Sequence, residues 1–555
     1  MSQPVFFPHP KAWTPAKGVC TSLVELTLNE FWLDAHLDPS LNPEGYALQI
    51  TPTGIYLRLG SDRALHYAWL HFEQWRKPSP EAIPCGEVKD HPTFPRRGFM
   101  LDISRCKVPT RESLEEWVHL LADFRYNELQ LYTEHTFAYK GHRPVWEHAS
   151  PLDKEDILWL QSLCQSYSIE LVPNQNCFGH FERWIGHSDY RKYAETPDGF
   201  ITPWGEHRHV GSVLKPDQAS YDLVTGLLDE ILPLFESPLI NIGCDETFEL
   251  GQGASKERCK KEGFGKVYTE FVSRIMKHVS EKHGKRAQFW GDIILKSPEE
   301  LRQFPKDAIA LEWGYEADHP FDADSKLFKE SGLDFVVCPG SSSWQSFAGR
   351  TENMFVNIRK ATEAAQENEA LGLLLTDWGD FGHLQQNPVT YPALAWCGLN
   401  AWAQETASIE TATLWCDEVA FKNNSGDTDA WLAAGRVSDL LEKPTHNSSP
   451  LFQLFRNPEE TRPLLPIEKI KNCLEAVDNL QAPSMYTKEW EQTLRNLRLP
   501  LLRALGRKEA DECHRLSIEG HEKLWRQRNR EGGLAESVSM YSSMARDLKT
   551  GDKDE

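Results

Sequence analysis

Two adjacent carboxylates, Asp245 and Glu246, end the apolar segment LINIGCDE (239–246). Neighbouring strand residues point to opposite faces, so both acids can line one pocket only if the backbone turns where the strand ends. Two anions in a sheltered mouth repel each other, and one of the two pKa values should rise. A carboxyl that keeps its proton near neutral pH can act as a general acid and protonate a leaving oxygen.

Other polar and aromatic side chains follow short apolar segments in the same way. They are Asp102, Arg105, Glu134, His135, Asn174, Asn176, His180, Trp290, Asp292, Trp313, Trp344, Asp377, Trp378 and Asp380. A single carboxylate after a strand is often a helix cap, and a single Trp is usually a core residue. The coincidence of acids, His and Trp after successive segments favours one shared site.

Eight apolar segments alternate with amphipathic helical patterns, which predicts parallel strands covered on both faces. The predicted strands are 97–104, 128–134, 169–176, 239–246, 287–294, 308–315, 334–341 and 371–380. Eight such units predict a (β/α)8 TIM barrel, in which catalytic groups stand at the C-terminal ends of the strands. A doubly wound open sheet is the alternative, but the glycine-rich phosphate loop that often follows its first strand is absent from this sequence.

Three regions are predicted around this pattern: a small α+β domain with its linker at 1–90, the catalytic barrel at 91–420, and a helical region at 421–555. Within the first region, TSLVELTLNEF and GYALQITPTGIYLRLG have strand-like patterns, and ALHYAWLHFEQW has helical spacing. The segment KPSPEAIPCGEVKDHPTFP is rich in proline and is predicted to be a linker.

Composition and charge indicate which partners, cellular location and cofactors to expect. The formal net charge of −22 disfavours nucleic acid as a partner. The N-terminus has no secretory pattern and no apolar run is long enough for a membrane span, so we expect a cytoplasmic protein without membrane contact. The twelve cysteines lack zinc-ligand spacing, which fits buried thiols in a reducing compartment, and no cofactor or metal is expected. The oligomeric state stays open, with a homodimer as one alternative.

The segments RRGFMLDISR, NIGCDETFELG and LLLTDWGDFGH resemble the family 20 glycoside hydrolases, the β-N-acetylhexosaminidases, over residues 95–400 or so. The resemblance implies an exo-acting, retaining hydrolase of terminal GlcNAc or GalNAc that uses the substrate's own acetamido oxygen as the nucleophile. Glu246 would protonate the leaving oxygen, and Asp245 would hold the acetamido N–H.

The resemblance also implies a substrate-binding set. Its members are Arg97, Glu134, His180, Trp290, Trp313, Trp344, Trp378 and Asp380. Arg97 would grip the sugar hydroxyls at positions 3 and 4, Asp380 would bind outer hydroxyls, and the tryptophans would form walls. The sequence departs from the family where a Tyr normally follows strand 7, and Trp344 is the candidate donor in its place. Asn174 and Asn176 stand where the family has acids.

Two other functions fit part of the pattern. A metal-dependent barrel hydrolase could use His135, His180, Asp245 and Asp380 as ligands. A glycan-binding barrel that has lost catalysis would also use a Trp-rich rim, although the intact pair of acids favours an enzyme.

Overall fold

A computed structural model describes residues 4–22, 26–33, 35–203, 205–403, 407–423 and 426–544. Its strands are β1 Ala12–Cys20, β2 Ala35–Leu37, β3 Tyr46–Thr51, β4 Gly54–Leu59, β5 Ile83–Asp90, β6 Arg96–Asp102, β7 Glu128–Tyr132, β8 Glu170–Val172, β9 Phe200–Ile201, β10 His207–Arg208, β11 Leu239–Asn241, β12 Arg286–Trp290, β13 Ile309–Trp313, β14 Asp334–Cys338 and β15 Gly372–Asp377.

The helices alternate with these strands and then continue to the end of the described chain. The α-helices are α1 Leu28–Leu33, α2 Ala64–Arg76, α3 Arg111–Asp123, α4 Arg143–Trp146, α5 Lys154–Ser166, α6 Glu182–Ile185, α7 Gln218–Ile231, α8 Lys256–Glu262, α9 Phe264–His283, α10 Phe321–Ser331, α11 Thr351–Glu367, α12 Tyr391–Trp402, α13 Ile409–Val419, α14 Asp427–Arg436, α15 Pro450–Arg456, α16 Pro458–Thr461, α17 Ile467–Asp478, α18 Thr487–Ala504, α19 Glu509–Arg528 and α20 Leu534–Ser539. Among them, none is both long and apolar enough to cross a bilayer.

Eight of the described strands form a parallel barrel in the order β6, β7, β8, β11, β12, β13, β14, β15 and back to β6. Between β8 and β11 the barrel is closed just beyond the strand ends, where Asn174 pairs with Asn241 and the backbone N–H of Gln175 donates to the Asn241 carbonyl at 2.9 Å. The predicted TIM barrel is confirmed, and each predicted strand contains or overlaps one barrel strand.

Both faces of the barrel strands are buried, which explains their continuous apolar runs. Along β13, Leu311 packs inside the barrel, whereas Ala310 packs outward against the helices. The helix-facing cluster also contains core residues of the C-terminal helices, such as Trp431, Trp490 and Tyr541. The barrel and the C-terminal helical region therefore share one hydrophobic core.

The N-terminal domain has its own core and a five-stranded sheet in the order β1-β5-β3-β4-β2, against which α2 packs. The strand-like segment GYALQITPTGIYLRLG forms the two antiparallel strands β3 and β4. The predicted linker is wrong in part, because β5 pairs with both β1 and β3 and buries Ile83 and Val88. These pairings on both sides outweigh the proline content of the segment.

The strand-like pattern predicted over TSLVELTLNEF is also wrong where it can be compared. Residues 28–33 form the helix α1, and the first strand precedes this segment as β1. Residues 23–25 lie outside the described ranges. Phe31 on α1 is fully buried in the domain core, so tertiary packing overrides the local alternation.

Candidate active site

The backbone turns sharply where β11 ends, as two acids facing one pocket require. Gly243, Cys244 and Glu246 all have positive φ, at 65°, 70° and 50°. The turn is tight enough that a Cβ on Gly243 would lie 2.5 Å from the Asn176 side chain. Only 9% of the Asp245 side chain is exposed, against 39% for Glu246. Asp245 is therefore the inner acid, and Glu246 is the acid that faces the opening.

His180 connects the two acids. Its Nε2 lies 3.1 Å from Asp245 Oδ2 and 3.5 Å from Glu246 Oε2. The second Asp245 oxygen accepts a hydrogen bond of 2.8 Å from Asn176 Nδ2. Gly179, just before His180, allows the close approach, since a Cβ there would lie 2.2 Å from the Asp245 carbonyl oxygen. Asp245 is thus oriented by donors on both of its oxygens.

The environment separates the pKa values of the two acids. Burial disfavours the Asp245 anion, but His180 and the Asn176 hydrogen bond hold the pKa of Asp245 below its usual range. Burial of the carboxyl and the negative charge of Asp245 raise the pKa of Glu246, although the positive charge of His180 partly lowers it. Burial also opposes the charged form of His180, yet Asp245 raises the pKa of His180 to about 10. Asp245 is the ionised partner and Glu246 the more readily protonated one.

Arg105 occupies the rim beside these acids. Its guanidinium lies 4.7 Å from the ring centre of Tyr132 and 4.9 Å from that of Trp378. It also lies 3.5 Å from Glu134 Oε1 and 3.7 Å from Asp380 Oδ1. The rings hold the plane of the guanidinium while its N–H groups stay between two carboxylates, an arrangement that suits hydrogen bonding to vicinal hydroxyls.

Aromatic side chains form the remaining wall. Trp290 is 1% exposed and its ring centre lies 6.2 Å from that of Trp378. Trp313 stacks on Tyr315 at 5.0 Å, and the Tyr315 hydroxyl accepts a 2.8 Å hydrogen bond from Trp378 Nε1. The indole N–H groups of Trp290 and Trp313 are buried with no hydrogen-bond partner among the described residues. The wall is therefore apolar but contains polar hydrogens that a ligand could use.

Comparisons with known proteins identify the family. Residues 94–371 match the family model described as glycosyl hydrolase family 20, catalytic domain. The chain belongs to glycosyl hydrolase family 20.

Curated relatives of this family 20 glycoside hydrolase share low sequence identity with it. A β-hexosaminidase from Akkermansia muciniphila is 24% identical over 232 residues, which cover 38% of this chain and 46% of that protein. Hexosaminidase D from Bos taurus is 23% identical over 301 residues, covering 49% of this chain and 82% of the relative. The match thus spans about half the length of the bacterial relative.

Solved structures match its fold. A β-N-acetylhexosaminidase crystal structure aligns with a TM-score of 0.59 at 18% identity, covering 75% of this chain and 96% of that one. A chitobiase from Flavobacterium johnsoniae aligns with a TM-score of 0.61 at 15% identity, covering 97% of this chain and 98% of that one. At such identities the likeness shows the fold.

The prediction that Arg97 binds substrate is wrong. Arg97 lies at the start of β6, at the end of the barrel opposite to the active-site mouth. It is fully buried against the N-terminal domain, where Nη1 pairs with Glu44 Oε2 at 2.8 Å and Nη2 donates to the Tyr67 hydroxyl at 3.0 Å. Arg105 follows the same strand at its other end and occupies the position at the mouth.

Trp344 is not a free donor toward the mouth. Its indole N–H donates to Asn447 Oδ1 of the C-terminal region at 3.0 Å. Its ring packs edge-on against Tyr315, which lies 5.0 Å away. Tyr315, which contacts both Trp344 and Trp378, is a tyrosine of this wall, and it follows β13 rather than β14. Tyr315 was not predicted from the sequence because the resemblance places a Tyr after strand 7 and not after strand 6.

The other predicted residues converge on the mouth, and their roles there stay predictions. They are Glu134, His180, Trp290, Trp313, Trp378 and Asp380, with Asp245 and Glu246. Tyr132 was not singled out from the sequence, although its hydroxyl donates to Glu134 Oε1 at 3.0 Å. Burial raises the pKa of Glu134 to about 7.

Asp292 is a further acid beside the pair. Its Oδ2 accepts a hydrogen bond of 3.2 Å from the Glu246 backbone N–H. Burial and the charges of Asp245 and Glu246 raise the pKa of Asp292 to about 7. Its place at the end of a predicted strand was visible in the sequence, but its contact with the Glu246 backbone was not.

The set proposed for a metal-dependent hydrolase does not assemble. Among the described residues, three groups have ligand-type atoms close enough to hold an ion, and the group in the mouth is Glu134, His180 and Glu182. His135 is buried apart from this group, near Arg183 and Glu536.

Proposed function

We propose that this chain is an exo-acting, retaining β-N-acetylhexosaminidase that uses substrate-assisted catalysis. The observation that carries the proposal is the pair of acids after β11: Asp245, which is held inside the mouth by His180 and Asn176, lies next to the more exposed Glu246. The opposite directions of their pKa shifts support the same assignment. The similarity to a β-hexosaminidase and to a hexosaminidase D supports the same activity.

In the first step, the carboxyl of Glu246 gives its proton to the glycosidic oxygen as the bond from C1 to that oxygen breaks. The electron pair of this bond leaves with the departing oxygen. The acetamido oxygen of the sugar attacks C1 from the opposite face and forms a cyclic oxazolinium. Asp245 accepts the hydrogen bond of the acetamido N–H and stabilises the positive charge that develops on this group.

In the second step, the Glu246 carboxylate takes a proton from water as the water oxygen attacks C1. The bond between C1 and the acetamido oxygen breaks, and the acetamide is restored. Two displacements at C1 give net retention of configuration. Asp245 needs no nucleophilic role, because the sugar provides the nucleophile.

The walls of the mouth would select the acetamido sugar. Trp290, Trp313 and Trp378 would enclose the acetamido methyl. The Tyr315 hydroxyl, which already accepts a hydrogen bond from Trp378, can donate one to the acetamido oxygen. Arg105, between two carboxylates, and Asp380 would bind the outer hydroxyls.

A substituent series tests the proposal directly. 4-Nitrophenyl β-N-acetylglucosaminide and galactosaminide should be hydrolysed, and the β-glucoside, which lacks the acetamido group, should not. Replacing acetyl by mono-, di- and trifluoroacetyl should lower kcat stepwise, because fluorine withdraws electrons from the attacking oxygen. A rate that is insensitive to fluorine would rule out the acetamido nucleophile. Activity in EDTA separates this mechanism from a metal-dependent one, and binding without turnover would indicate a glycan-binding barrel.

A further inference from the structure

Three consecutive residues with positive φ follow Asp380. They are Phe381 at 58°, Gly382 at 90° and His383 at 50°. A non-glycine residue in the left-handed region is strained, so two of them around a glycine persist only where the surroundings hold the backbone. The direction of the Asp380 side chain therefore depends on what holds this turn.

The C-terminal helical region holds the first two residues of the turn. The Arg456 guanidinium stacks on the Phe381 ring, 3.4 Å from its centre. Ser537 Oγ donates a hydrogen bond to the Gly382 carbonyl. Met540 packs on Gly382 so closely that a Cβ there would lie 2.6 Å from Met540 Cγ.

A second hydrogen bond fixes the Ser537 hydroxyl. His521 Nε2 lies 2.8 Å from Ser537 Oγ, and both side chains are buried. The Ser537 hydroxyl donates its one hydrogen bond to the Gly382 carbonyl, so its oxygen accepts a hydrogen bond from the N–H at His521 Nε2. Burial lowers the pKa of His521 to about 3, and the imidazole is neutral in this role. The chain of donors runs from His521 through Ser537 to the carbonyl two residues after Asp380.

We propose that Ser537 and His521 are positioning residues that act on the substrate through Asp380. The inference rests on the proposed function, because it takes Asp380 as a ligand of the outer sugar hydroxyls. It assigns the C-terminal helical region a part in substrate recognition, because this region fixes the Phe381 ring and the Gly382 carbonyl in the turn that follows Asp380.

The test is a double-mutant cycle on an aryl β-N-acetylhexosaminide. Ser537→Ala removes the donor to Gly382, and we expect KM to rise about five- to tenfold, the equivalent of one hydrogen bond, with a smaller change in kcat. In the Asp380→Asn background the same substitution should change KM less than twofold, because the group it positions is already lost.

Thr493→Val is the control, since Thr493 Oγ1 donates to the Glu489 carbonyl at 2.9 Å within the same region and neither residue is among those that hold the turn; its KM should equal that of the wild type. If Ser537→Ala does not fold, His521→Leu should raise KM similarly, whereas His521→Gln, which keeps a donor, should not. Wild-type KM in the donor-less variants, or additive effects with Asp380→Asn, would overturn the inference. Turnover by the wild-type enzyme tests the proposed function separately.

Discussion

The imidazole of His180 affects the ionisation of both neighbouring acids. It lies 3.1 Å from Asp245 and 3.5 Å from Glu246, and its positive charge lowers the pKa of each. Catalysis needs Asp245 ionised and Glu246 protonated. The activity should therefore fall at low pH as Asp245 takes up a proton, and at high pH as Glu246 loses its proton.

Replacing His180 by Gln should move both limbs of the pH profile of kcat/KM to higher pH. Without the imidazolium, the pKa of Asp245 rises, and the acid limb follows it upward. The pKa of Glu246 rises as well, and the basic limb follows. Exposed His148, replaced by Gln, is the control and should leave both limbs in place. A profile of His180→Gln that coincides with the wild type would show that His180 does not set these ionisations.

For single residues, the sequence predicts which side chains reach the mouth, but not which of their donor and acceptor atoms are available to a ligand. Asp245, Glu246 and His180 were predicted because they follow apolar segments and catalytic groups cluster there in this fold. Whether the Trp344 indole N–H is available depends on Asn447, about a hundred residues further along the chain. Tyr315 and Arg105 acquire their importance only from rings and acids contributed by other strands.

The strand β6 shows how an element decides the role of its residues. Arg97 lies at the start of β6 and Arg105 lies just after its end. Because a strand rises by roughly 3.3 Å per residue, the two side chains are at opposite ends of the barrel. The family resemblance implied that Arg97 binds the sugar hydroxyls, yet Arg97 forms an ion pair with the buried Glu44. The two arginines therefore have separable effects.

Arg97→Met should lower the free energy of unfolding by about 3–5 kcal/mol, because it leaves the Glu44 carboxylate buried without its partner. Its kcat and KM, normalised to folded enzyme, should stay near wild type. Arg105→Met should raise KM at least tenfold with a smaller loss of stability. Urea titration and steady-state kinetics on both variants provide the comparison. A raised KM for Arg97→Met, with an unchanged free energy of unfolding, would show instead that Arg97 binds substrate.

Strands could be predicted from the sequence where a continuous apolar run set them apart from their neighbours. All eight barrel strands were predicted because burial on both faces leaves long apolar runs. The strand β5 was predicted as linker because Pro84 and Gly86 weaken its pattern, and only its pairing with β1 and β3 makes it a strand. Pairing partners distant in sequence are not visible in local composition.

At the scale of the whole molecule, the C-terminal helical region belongs to the barrel. Pro109, in the loop after β6, pairs with Asn529, and Arg528 forms an ion pair with Glu116 of α3. The sequence predicted these helices but not where they dock, since the contacts join residues some four hundred positions apart. Because the barrel and the C-terminal helical region share one hydrophobic core, we expect them to unfold together as one cooperative unit.

Hydrogen exchange in increasing urea should therefore open α3 of the barrel and α18 of the C-terminal region at the same midpoint. Enzyme activity should disappear at that midpoint as well, because the turn after Asp380 depends on the C-terminal region. Exchange of α18 at lower urea than α3, with activity intact, would show instead that the region is an independent appendage. Mass spectrometry of peptides from both helices supplies the readout.

The leaving-group dependence of Glu246→Gln tests most directly whether Glu246 is the proton donor. A general acid matters most when the leaving oxygen is basic, and its removal costs about 10²–10⁴-fold in rate. We predict a loss of that size in kcat/KM for a β-N-acetylglucosaminide with an alkyl leaving group, and less than about tenfold with 2,4-dinitrophenolate, which needs no proton. Equal losses for both substrates would contradict the assignment of Glu246 as the proton donor.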